Sequence, residues 1–143
     1  PGMKVLQFAF DESGESVYLP FRYVSNCIVY TGTHDNETTK GWLEGLSGTN
    51  LDYVKRYIAC EDKDEDECVW GLIRAAQSSV AELCVIPLQD YLCLGNEARM
   101  NTPSTLGDNW KWRLRRGQLT DEVIGQIKAM TKLYGRTQEY KKK

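Results

Sequence analysis

Apolar positions fall into short continuous runs near the start of the chain and into helical spacings further along. Met3 to Phe10 is short, apolar and β-prone, which predicts a buried strand. Gly14 and Pro20 break any regular pattern after it, so Asp11 to Arg22 reads as a loop. Cys27 to Tyr30 is a second apolar run, stopped by Thr31-Gly32-Thr33, and predicts a second strand. From about Asn36 a short helix is expected, with Trp42, Leu43 and Leu46 on one side. Asn50 is placed to cap a further helix in which Leu51, Val54 and Ile58 share a face. The acidic stretch Glu61 to Glu67 then leads into the strongest helical pattern, with Val69, Leu72, Ile73, Ala76, Val80 and Leu83 in step. Cys84 to Leu88 predicts a third strand, ended by Pro87 and Gln89-Asp90. Gly95 to Arg116 has no periodicity and reads as a long ordered loop, a feature that usually has a functional reason. Thr120 opens a last helix, with Val123, Ile124, Ile127, Met130 and Tyr134 facing inward.

Strand, helices, strand, with short and wholly apolar strands, is the pattern of an α/β fold whose parallel sheet is covered by helices. Three strands cannot close such a sheet, and a (β/α)8 TIM-type barrel needs ~250 residues. The pattern therefore predicts the C-terminal part of such a barrel, roughly its last three strands with their helices. It occupies 1–136, followed by a basic solvated tail over 137–143.

Composition narrows the picture only a little. With 143 residues, 41% hydrophobic and 27% charged, the chain is long enough to bury a real core. A net charge of −2 gives no basic stripe for nucleic acid, and no apolar run approaches a membrane span, so neither partner is expected. Pro1 to Val5 is not a signal peptide and holds no initiator Met at its start, so the chain is expected to begin inside a longer one. Five cysteines without a C-x-x-C pair fit reduced thiols better than disulfides or zinc.

Candidate chemistry gathers after the predicted strands. In Thr31-Gly32-Thr33-His34-Asp35-Asn36-Glu37-Thr38, the one histidine of the chain stands beside an aspartate. In a β/α barrel this is the rim where catalytic groups collect, and a His34–Asp35 pair there can bind sugar hydroxyls. Equally, Asp35 or Asn36 can cap the next helix while His34 is structural. Gln89-Asp90 and Gly95 to Pro103 bring amides, carboxylates and Arg99 together in sequence, which suits a polyhydroxylated ligand. The plainer reading ends the strand at Gln89 and Asp90 and pairs Glu97 with Arg99 on the surface. Trp110 and Trp112 can stack on sugar rings or pack into the core. Asp62, Asp64 and Asp66 alternate as in a calcium loop, but Glu67 and Ile73 stand where that loop needs Gly and Glu. No phosphate loop, H-E-x-x-H or G-x-S-x-G occurs, and no cofactor is expected.

Gly2 to Phe10, Tyr30 to Thr39, Ile86-Pro87-Leu88-Gln89-Asp90, Gly95 to Pro103 and Asn109-Trp110-Lys111-Trp112-Arg113 together resemble the 4-α-glucanotransferases, or amylomaltases, of glycoside hydrolase family 77. The resemblance runs in order from Pro1 to about Arg136; Ser104 stands where the family usually has Gly, and Leu106 to Asp108 vary. It implies retaining transglycosylation between α-1,4-glucans or maltooligosaccharides on an α-amylase-like barrel. Asp35 matches the carboxylate that stabilises the transition state, His34 a sugar-binding histidine, and Asn101 a polar residue near the sugar. The nucleophile and the acid/base lie on earlier strands in such barrels, before Pro1. The resemblance thus implies a cytoplasmic transferase whose fragment is inactive alone and prone to associate through exposed sheet edges. A noncatalytic α-glucan-binding module is the alternative.

Overall fold

The computed structural model describes residues 1–137, so the expected tail from Gln138 onward lies outside the described residues. Three parallel strands, β1 (Gly2–Val5), β2 (Cys27–Tyr30) and β3 (Leu83–Val85), form one sheet in that order. Met3, Ile28 and Leu83 stand side by side across it, as do Val5, Tyr30 and Val85. Among the described residues five α-helices accompany the sheet: α1 (Thr39–Gly45), α2 (Gly48–Tyr57), α3 (Glu65–Gln77), α4 (Leu88–Tyr91) and α5 (Asp121–Leu133).

Because side chains alternate along a strand, the sheet has two distinct faces. Cys27 and Val29 point into the core, where they join Leu43, Val54, Val69, Leu72, Ile73 and Ala76 of the helices. On the opposite face Met3 is 58% exposed and Leu83 52%, with Ile28 and Tyr30 only partly covered. A parallel sheet is normally covered on both sides, so this uncovered apolar face is a property of the described residues to be explained. Among them no helix is long and apolar enough to cross a membrane.

Several element ends differ from expectation, each for a visible reason. β1 stops at Val5, and Leu6–Ala9 forms a 3-10 turn instead of more strand. Residues three apart share a side in such a turn, so Leu6 and Ala9 both stay buried. α1 begins at Thr39 because Thr38 Oγ1 accepts the Gly41 N–H at 3.1 Å, so neither Asp35 nor Asn36 caps it. α2 begins at Gly48, ahead of Asn50. α3 starts on a reciprocal cap in which Asp64 accepts from Glu67 N and Glu67 accepts from Asp64 N, so part of the acidic run sets the helix start. It ends at Gln77, short of Val80 and Leu83, where Arg136 donates to the carbonyls of Gln77 and Ser79. Leu83 is thereby free to open β3, which closes at Val85 ahead of Pro87. α5 is capped by Thr120 as expected, with Met130 buried and Val123, Ile124, Ile127 and Tyr134 half-buried.

Candidate functional site

A cleft of about 430 Å³ opens at the C-terminal ends of β2 and β3. Tyr30 and Val85 form part of its wall, and the segment Gly32 to Thr38 runs along its edge. In open α/β sheets ligands settle at this end of the strands, because the connecting loops can be shaped there without disturbing the core.

The segment after β2 folds on itself before α1 begins. Asn36 Oδ1 accepts both the Thr33 N–H at 2.8 Å and the Thr33 hydroxyl at 2.9 Å, closing a local turn. This turn leaves His34 and Asp35 half-exposed over the cleft, with His34 Nε2 3.3 Å from Asp35 Oδ1. Asn101 Nδ2 donates to the same Asp35 oxygen at 2.7 Å, and Asn101 N donates to His34 O at 3.1 Å. Arg99 completes the clasp, donating to Asp35 O at 2.7 Å and Asn101 O at 2.9 Å. His34, Asp35 and Asn101 are therefore brought together, although Asp35 and Asn101 lie 66 residues apart. Asp35 Oδ2 accepts no hydrogen bond among the described residues.

Beneath this edge lies Asp90, 1% exposed. Its carboxylate accepts the Thr31 hydroxyl at 2.6 Å, the Thr39 hydroxyl at 2.7 Å and the Thr39 N–H at 2.8 Å. Burial pushes its pKa above the ordinary value, while the three donors pull the other way. Gln7, swung inward by the 3-10 turn, donates to Glu37 O at 3.1 Å and to the Thr39 hydroxyl at 3.3 Å. Gly32 permits that approach: a Cβ there would collide with the Gln7 amide. The local pattern offers Asp90 as a ligand-facing carboxylate or a strand end and foresees neither its burial nor its three donors, which come from partners 51 and 59 residues away.

The long loop after residue 99 supplies the far wall. Its backbone is held by Trp110 N donating to Met100 O at 2.6 Å and by Asn109 Oδ1 accepting the Thr102 N–H at 2.9 Å. Ser104, Asp108 and Trp110 all have positive φ, a conformation that costs a non-glycine residue energy. The Trp110 ring lines the cleft, 5.1 Å from the His34 ring. Trp112 is half-buried and does not line the cleft, so Trp110 is the aromatic candidate of the pair. Glu97 binds Gly95 N rather than Arg99, and Gln89 donates to Ala98 O. Among the described residues no group of three or more His, Cys, Asp or Glu side chains could hold a metal ion.

A family model described as 4-alpha-glucanotransferase, of glycoside hydrolase family 77, matches residues 1–120. A 4-alpha-glucanotransferase of Synechocystis is 48% identical over 137 residues, covering 95% of this chain and 27% of the relative. That of Thermus thermophilus is 45% identical over 135 residues, covering 91% of this chain and 27% of the relative. The solved amylomaltase of Streptococcus agalactiae in complex with acarbose superposes with a TM-score of 0.89 at 35% identity, covering 96% of this chain and 28% of that one. The chain thus spans about a quarter of the length of these relatives, and its mixed α/β fragment with a parallel sheet follows the amylomaltase fold. By this match the chain belongs to the 4-alpha-glucanotransferase family.

Proposed function

We infer that this chain supplies one side of the active site of a 4-α-glucanotransferase, which redistributes α-1,4-glucans by retaining transglycosylation. The observation that carries the reading is Asp35, set over the strand-end cleft with one oxygen engaged by Asn101 and the other unengaged. Such a carboxylate can accept hydroxyl protons of a bound sugar, and those bonds strengthen as the ring distorts towards an oxocarbenium-like transition state. His34 and Asn101 orient the carboxylate and can reach the same hydroxyls. Trp110 offers a ring face, against which the apolar side of a glucose unit can lie.

Retention needs a carboxylate nucleophile and an acid/base ~5 Å apart across the scissile bond. The remaining carboxylates of this cleft are committed: Asp90 to three donors, and Glu37 to the Asn96 amide at 2.9 Å. The family resemblance puts both missing groups on earlier strands. The chain alone is therefore a fragment without turnover, and the uncovered sheet face would pack inside a closed (β/α)8 barrel. We place the protein in the cytoplasm, where its five free thiols would stay reduced.

The test is maltotriose kinetics with the protein at its natural full length, beside Asp35→Ala. Loss of ~10³-fold or more in kcat is expected, since several kcal/mol of transition-state stabilisation is removed. Near-normal turnover by the variant would remove Asp35 from the role. Maltooligosaccharide binding without turnover by the wild type would favour a noncatalytic glucan-binding module.

A further inference from the structure

The buried carboxylate of Asp90 has no packing reason to be there. An apolar side chain would fill the space without the cost of desolvating a charge. All three of its partners donate to it, and none asks for a proton in return. Thr39 Oγ1 already accepts from Gln7, so its own proton is directed to Asp90. The site is therefore built for an acceptor-only group.

Its two anchoring residues are also telling. Thr31 lies at the exit of β2 and Thr39 at the first turn of α1, so they bracket the segment that carries His34 and Asp35. One carboxylate on α4 fastens both ends of that segment, while Arg99 and Asn101 hold its crest from the other side. We propose that Asp90 is a positioning residue for Asp35, fixing the 31–39 segment so that the Asp35 carboxylate stands at the height the transition state requires. The proposal rests on the transferase reading.

The experiment compares Asp90→Asn, Asp35→Asn and the double variant in the natural full-length protein, with Thr31→Val and Thr31→Ser alongside. Asp90→Asn should lower kcat by ~10–100-fold, the effect of displacing a catalytic group by about 1 Å, with KM for maltotriose within ~3-fold. The double variant should be no slower than Asp35→Asn, because Asp90 acts through Asp35. Thr31→Val should lose ~3–10-fold in kcat, whereas Thr31→Ser keeps most of the rate. An equal further loss from Asp90→Asn in the Asp35→Asn background would overturn the proposal, as would an unchanged kcat. Should Asp90→Asn fail to fold, the Thr31 pair decides: equal rates for Val and Ser overturn it. A wild type that leaves maltotriose intact overturns the transferase reading and this proposal together. An active wild type matched by Asp90→Asn overturns this proposal alone.

Discussion

At Asp90, two opposed effects meet in one side chain. Desolvation disfavours the charged form, and three hydrogen bonds favour it; desolvation is the larger, so the pKa rises above 3.8. A carboxyl whose pKa is raised by folding takes up its proton in the native state before the unfolded chain does. Its contribution to stability is fully present at low pH and is lost as pH rises from the ordinary aspartate value through the raised one. Thermal melts across this window should show the wild type losing stability relative to Asp90→Asn, which has no proton to release. Parallel curves would contradict the assignment. The same residue shows what a sequence hides: His34 and Asp35 stand out as a local pair, and Asn101 is singled out only by the family resemblance. The burial of Asp90 and the turn of Arg99 towards Asp35 rest on contacts across 51 to 64 residues.

Element existence tracks local pattern, and element ends track distant partners. The runs at Cys27 to Tyr30 and Val69 to Ala76 carry their own periodicity, so a strand and a helix form where expected. The end of α3 is different, because the guanidinium that takes the carbonyl of its last residue, Gln77, comes from Arg136. The placing of α1 is equally non-local. Asn96 donates to Glu37 and accepts from Thr38 N at 3.3 Å, lying so close that a Cβ at Gly41 would overlap its amide. Gly41→Ala should therefore destabilise by ~1–3 kcal/mol through overpacking, although alanine is the better helix former. Chemical denaturation measures this directly; a stabilised variant would mean that the α1 to Asn96 contact is loose.

Among the described residues one side of the sheet lies under helices, and the other is apolar and open in part, with Val5 buried on it. Met3, Leu83 and Val85 are exposed on that face, and among the described residues β1 and β3 each have an unpaired outer edge. Exposed apolar area and open edges favour association. The chain by itself is expected to run above its monomer mass in light-scattering chromatography and to brighten a hydrophobic dye. A monodisperse, dye-silent monomer would show that the open face is tolerated in water.

The most direct test of the transferase reading is the product spectrum from pure maltotriose, using the natural full-length protein. Transfer between glucans should give glucose together with maltopentaose and longer chains, with little net gain of reducing ends. Hydrolysis to glucose and maltose alone, or untouched maltotriose, would contradict it.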